Sequence, residues 1–233
     1  MKALRMLVCT LLFGGLPVGS AVRAQDLTLL DLFQGETITA GDKVFSNWQL
    51  DDFTLGPTAA GSLDDIFVTP LEDEPLNPGV KFNIPNGLNT GDSFVVLEFF
   101  FDVSTASGEA LIKDNSLWLN GFTFVPGSTG GVINIFEAIS DAAGAPLGSK
   151  FVQALPGDTP DSGDPDHFDS AEFAPQSLVH VFKQIELVGE GVILTMFEQR
   201  FSQVPEPSSL VLLTFGLVAS LSRRPRRSTA KEE

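Results

Sequence analysis

The chain has 233 residues and a formal net charge of −16. The charge is uneven: both ends are net basic, while residues 25–203 carry 27 acidic side chains against six basic ones. A body this acidic excludes a nucleic-acid partner or an anionic membrane held through the body's own charge, and its 18 phenylalanines, set in apolar runs, exclude disorder throughout.

Lys2 and Arg5 precede an apolar run that begins at Met6, and Val22-Arg23-Ala24 places small residues three and one positions before a cut. This order predicts a secretory signal peptide over residues 1–24, cleaved between Ala24 and Gln25, with Gly19-Ser20-Ala21 as an alternative cut. Gly14, Gly15 and Pro17 interrupt the run, which is too short for a lasting membrane span. Cys9 is the only cysteine and lies inside that run. The exported chain then has no disulfide, no thiolate metal site and no cysteine nucleophile.

Residues 25–203 alternate with period two, which predicts a single antiparallel β-sandwich, jelly-roll-like, made of about nine strands. Candidates fall at residues 43–53, 63–69, 80–84, 95–103, 116–125, 132–139, 150–155, 179–187 and 192–203, with residues 27–32 ambiguous. Val95, Leu97, Phe99, Phe101 and Val103 form one apolar face, and Val179, Val181, Ile185 and Leu187 form another that Lys183 interrupts. Turn formers such as Asn77-Pro78-Gly79, Pro85-Asn86-Gly87 and Pro156-Gly157 separate the strands. Residues 136–143 are the one stretch that could instead end as a short helix.

Candidate chemistry in the body is sparse. No serine stands in a nucleophile setting that would make a triad with His167, and His180 shares a mixed strand face with Leu178, Phe182, Gln184 and Glu186, which suits a structural role. With 27 acids, no carboxylate pair is singled out for glycoside hydrolysis. Asp158, Asp161, Asp164, Asp166 and Asp169 crowd a Gly/Pro-rich loop and could give calcium its oxygen ligands, although their spacing is not that of an EF-hand and a solvated loop explains them as well. No other cofactor is expected. Trp48 shares a face with Val44 and Leu50, and Trp118 one with Phe122 and Phe124; both read as core residues.

The C-terminus has three parts: Pro205-Glu206-Pro207, an uncharged apolar stretch at residues 208–222, and a basic stop of Arg223, Arg224, Arg226 and Arg227. As a helix these 15 uncharged, mostly apolar residues would span about 22 Å, short of the ~30 Å hydrocarbon core, but arginines can snorkel across the difference and hold that end in the cytoplasm. The prolines predict an exposed motif between the β domain and a transmembrane helix near residues 208–221.

Motif, short anchor and basic stop in this order resemble the PEP-CTERM sorting domain of Gram-negative bacteria, here residues 204–227, followed by a cytoplasmic tail at 228–233. The body is also similar to one group of such proteins. Gly41-Asp42-Lys43-Val44-Phe45-Ser46-Asn47-Trp48 resembles the group's early stretch, with Trp48 in place of a phenylalanine. Phe173-Ala174-Pro175-Gln176-Ser177-Leu178, continuing to Val181-Phe182-Lys183-Gln184-Ile185, resembles a late one, with Gln184 where an acid is usual. Phe197-Glu198-Gln199-Arg200-Phe201-Ser202-Gln203 leads into the sorting motif as it does in that group.

The resemblance implies an exported protein, anchored in the inner membrane, processed by an exosortase, and delivered to the cell surface or an exopolysaccharide or biofilm matrix. The expectation is a protein that is not an enzyme. A calcium-dependent glycan-binding module that contacts extracellular polysaccharide is the alternative, and a polysaccharide-active enzyme the third reading.

Overall fold

The computed structural model describes residues 27–106, 110–128, 130–160 and 163–205. Twelve strands occur among them: β1 (Leu27–Thr28), β2 (Ile38–Ala40), β3 (Lys43–Leu55), β4 (Phe67–Leu71), β5 (Gly79–Asn89), β6 (Phe94–Thr105), β7 (Ala110–Phe124), β8 (Gly131–Asp141), β9 (Pro146–Ala154), β10 (Phe168–Gln176), β11 (Leu178–Gly189) and β12 (Val192–Pro205). They form two six-stranded sheets of antiparallel neighbours, ordered β1-β4-β5-β12-β7-β10 and β2-β3-β6-β11-β8-β9. The all-β, two-sheet sandwich expected from the alternation is what the chain forms.

The longest alternating runs account for the centre. β6 and β11 pair in unbroken register from Val103↔Val179 to Val95↔Leu187, and both send their odd-numbered residues inward. Burial of each large apolar side chain there contributes about 1.5–3 kcal/mol. Phe99, Phe101, Phe82, Phe197 and Trp48 meet between the sheets as an aromatic cluster, with Phe82 stacked on Phe197 at 4.3 Å and Trp48 on Phe101 at 4.4 Å. The stretches at residues 41–48 and 197–203, far apart in sequence, also meet in space. Lys43 Nζ donates to Gln203 Oε1 at 2.5 Å, and Phe45 packs edge-on against Phe201.

Several expectations change. Residues 27–32 divide into β1 and a five-residue helix α1 (Leu29–Phe33), because the Thr28 hydroxyl accepts from the Asp31 N–H while Asp31 Oδ2 accepts from the Thr28 N–H. Residues 136–143 are not helical: β8 runs to Asp141 because it pairs along β9 and β11 on both sides. Residues 63–65 form a 3-10 turn, so β4 begins only at Phe67. β2 and β10 were not among the expected strands, and β12 continues to Pro205, opposite Ala110 of β7, past the expected boundary at 203. A proline fits there because β5 stops pairing at Arg200 and the bonds that continue on that side, from the Phe201 and Gln203 N–H groups to the Pro78 and Leu76 carbonyls, come before it.

Bulges decide the fate of both tryptophans. The β3–β6 register slips between Ser46 and Gln49, at Asn47, whose φ of 54° lies in the left-handed region that asparagine tolerates. The extra residue turns Trp48 to the Phe45 side, 5 % exposed, and leaves its expected companion Leu50 in solvent. Trp48 Nε1 is buried and finds no acceptor among the described residues. Trp48→Phe is therefore expected to shift stability by less than about 1 kcal/mol, since the lost ring area is offset by removing an unpaired donor. Urea midpoints of the two proteins check this; a loss above about 3 kcal/mol would show the indole N–H to be satisfied.

Candidate functional site

On β7 the register with β12 slips again, between the pairs Trp118↔Glu198 and Gly121↔Met196. Gly121 permits the slip, because a Cβ there would come 2.4 Å from the Met196 Cβ. The extra residue flips the strand's parity. Phe122 points into the core at 4 % exposure, whereas Trp118 faces outward at 47 %. The expectation that Trp118 is a core residue is overturned.

Phe168, the first residue of β10, lies directly opposite Trp118 and is 52 % exposed. The two rings stand on the outer face of the first sheet with polar neighbours along both strands. Two adjoining hollows run beside them. One, of about 250 Å³, is lined by Trp118, Phe168, Ser116, Asn77, Glu198 and Arg200 among others. The next, of about 430 Å³, continues past Ser116 and Phe168 to Asp114, Ser170, Glu172 and Ser202. Arg200 grips Asp73 through both Nη atoms at 2.9 and 3.1 Å, and Glu198 lies 3.7 Å from Nη2. Partial burial works against the Arg200 charge, but Asp73, Glu74 and Glu198 hold its pKa above the ordinary value, so the cation is fixed in place.

A third hollow, about 230 Å³, opens on the other flank of Trp118 and is lined by Pro160, Gly163, Asp164 and His167. Asp164 caps the 3-10 turn Pro165–His167 by accepting from the Asp166 N–H. That turn sends the His167 ring inward, edge-on against Phe122 at 5.0 Å. Asp158 Oδ2 accepts from the Leu155 N–H and stands 3.6 Å from His167 Nε2. Asp158, Asp164 and His167 each present one donor atom within 4.8 Å of the others. Two carboxylates and an imidazole suit a borderline metal better than calcium, which prefers oxygen alone. Of the five loop aspartates, the structure gathers Asp158 and Asp164. Asp166 contributes its backbone to the cap, Asp169 turns to the N–H groups of Phe151 and Ser170, and Asp161 lies outside the described residues.

On the opposite sheet His180 Nδ1 lies 2.5 Å from Asp102 Oδ1, and Asn47 donates to the other Asp102 oxygen. Ser140 is the register partner of His180 on β8. The arrangement is a polar ladder across the four strands β3, β6, β11 and β8, in keeping with a structural role for His180. The sorting residues Glu206, Pro207, Arg223, Arg224, Arg226 and Arg227, the residues 208–221, and the Ala24–Gln25 cut all lie outside the described residues. Among the described residues no helix is long and apolar enough to cross a membrane.

The fold defines an all-β, two-sheet sandwich protein with an exposed aromatic pair on one face. Its C-terminal segment is more specific: residues 203–227 match the family model of the PEP-CTERM protein-sorting motif, so this is a PEP-CTERM sorting domain-containing protein. No curated protein matches the chain. Among solved structures, one similar chain is a carbohydrate-binding module named TmCBM27, studied for mannan recognition, at 13 % identity and TM-score 0.30 over 66 % of this chain and 87 % of that one. Another belongs to carbohydrate-binding modules of the β-sandwich superfamily, at 12 % identity and TM-score 0.32 over 78 % and 62 %. A DUF4465 family protein from Bacteroides caccae is similar at 9 % identity and TM-score 0.22, over 64 % and 92 %. These are loose likenesses in architecture.

Proposed function

We propose that this protein is exported, held in the inner membrane by its C-terminal segment, processed by an exosortase-type enzyme and delivered to the cell surface or exopolysaccharide matrix, where it acts without catalysis. The sorting match at residues 203–227 carries the reading. In a host that has the processing enzyme, Glu206→Gln is expected to leave membrane insertion intact and stop maturation. Neutral residues in place of Arg223, Arg224, Arg226 and Arg227 are expected to weaken inner-membrane retention, because the basic stop is gone. Cell fractionation with a tag in the body reads both effects. Maturation of the Glu206 variant at the wild-type rate would replace this reading with a plain tail anchor.

The exposed Trp118–Phe168 pair supports a second reading in which the body binds matrix polysaccharide. Sugar rings present apolar C–H faces that stack on aromatic planes, while Ser116, Asn77, Glu198 and the fixed Arg200 offer hydrogen bonds to hydroxyls beside them. Trp118→Ala is expected to weaken binding to the organism's own exopolysaccharide by about thirtyfold, the ~2 kcal/mol of an aromatic anchor. The melting midpoint should barely move, since the ring is half exposed. Affinity electrophoresis and a melting curve separate the two outcomes, and equal retardation of both proteins would sink the reading. Its calcium-dependent form relies on Asp158 and Asp164; an unchanged midpoint at millimolar calcium removes that form.

A further inference from the structure

Three charged side chains lie fully buried between the sheets. Glu137 of β8 sits between its register partners Lys150 of β9 and Lys183 of β11, and none of the three side chains is solvent-exposed. Lys183 Nζ donates to Glu137 Oε2 at 2.5 Å. Lys150 Nζ stands 2.5 Å from Oε1 but outside hydrogen-bond alignment. From the opposite sheet, Asn115 of β7 donates its Nδ2 to the same Oε1 at 2.9 Å, while Asn115 Oδ1 finds no protein donor among the described residues. An amine and a carboxamide from different sheets thus converge on one carboxylate oxygen in an apolar interior. The Phe197 ring, 5.5 Å from Lys183 Nζ, closes one side.

The charge count in this pocket is unbalanced. One carboxylate compensates one ammonium, and a second ammonium at full burial would cost several kcal/mol. Glu137 Oε1 is placed to take a proton from Lys150 Nζ, beside the Asn115 amide that already donates to it. Burial lowers the Lys183 pKa despite Glu137.

We propose that Lys150 and Asn115 react in the folded protein to form an isopeptide bond that joins the two sheets, with Glu137 as the proton carrier. Glu137 Oε1, 2.5 Å away, takes a proton from Lys150 Nζ, and the freed amine attacks Asn115 Cγ and forms the new C–N bond. Glu137 accepts a proton from the attacking nitrogen and passes it to the departing amide nitrogen. The Cγ–Nδ2 bond breaks and ammonia leaves, so amine plus carboxamide become a secondary amide plus ammonia with no oxidant required. Lys183 donates to Glu137 Oε2 and holds the carboxylate in place. Burial holds amine and amide at an effective concentration far above that of separate reactants, which makes a slow exchange practicable without an external enzyme.

Proteolytic digestion of the purified full chain followed by tandem mass spectrometry tests this. The expected result is a branched peptide joining the Lys150 and Asn115 segments, lighter than their sum by one ammonia, and its loss in Glu137→Gln. Recovery of both segments unlinked from the wild-type protein, or a branch to the buried Gln199 amide in place of Asn115, would overturn the proposal. Should Glu137→Gln fail to fold, the wild-type digest still decides.

Discussion

Glu137→Ala is expected to destabilise the domain by about 3–5 kcal/mol, a large share of the roughly 5–15 kcal/mol that holds a typical domain folded. The reason is the charge left behind. Glu137 is the ion-pair partner of both Lys150 and Lys183, and all three side chains lie at zero exposure. With an amide at Lys150, Lys183 alone is stranded and the cost stays in the same range. Converting Lys150, Glu137 and Lys183 together to apolar residues of similar size should cost far less than the single change, because no charge is then left unpaired. Urea denaturation of the two variants tests the contrast; equal losses would show the cluster to be packing rather than electrostatics. The same cluster sets a pH dependence. Burial pushes the Glu137 carboxyl up, but Lys150 and Lys183 outweigh it and hold the pKa below the ordinary value of 4.5. Below about pH 4.5 the unfolded chain binds a proton there that the native state refuses, so stability falls as the solution is acidified through that window. Lys183, whose pKa burial lowers, adds to the same slope at the alkaline end, because the native amine gives up its proton at a lower pH than the unfolded one. A melting midpoint that drops below about pH 4.5 in the wild type, and drops less in Glu137→Ala, is the expected pattern.

Phe99→Ala is expected to cost about 3–5 kcal/mol, and Phe100→Ala, one residue along the same strand, less than about 1 kcal/mol. Phe99 is fully buried and lies about 6 Å, ring to ring, from Phe33, Trp48, Phe82 and Phe101, so its loss opens a cavity shared by both sheets. Phe100 stands on the outer face at 42 % exposure and meets the Phe182 ring, at 4.9 Å, across the β6–β11 pair. Similar midpoints for the two variants would contradict the inward and outward alternation of β6.

That alternation is the part of the fold most legible in the sequence. β6 and β11 carry unbroken period-two patterns, and even the Lys183 interruption marked a real inward position, occupied by a lysine because Glu137 meets it. Legibility ends at bulges. A slip at Asn47 and another near Gly121 each reverse the parity of the residues beyond them, and one residue decides whether a tryptophan is core or surface. β10 hid for a different reason. It is an edge strand whose inward residues are Asp169, Ala171 and Phe173, so its inner face has no apolar run to find. The candidate site is built where these two failures meet, with Trp118 from the bulged strand facing Phe168 from the missed one. The aspartate-rich loop was visible as composition, but not its partner His167, which only the 3-10 turn brings back towards Asp158.

The course of β12 bears on how the domain carries load. It lies inside its sheet, bonded to β5 as far as Arg200 and to β7 as far as Pro205, and the chain passes from its last residues straight into the sorting segment. Tension applied at the C-terminal end of β12 would therefore act along the axis of a strand flanked on both sides. Its hydrogen bonds to β5 and β7 resist together in shear, whereas an edge strand such as β10 would peel away one bond at a time. A domain pulled through an interior strand of this kind holds longer than one pulled through its edge.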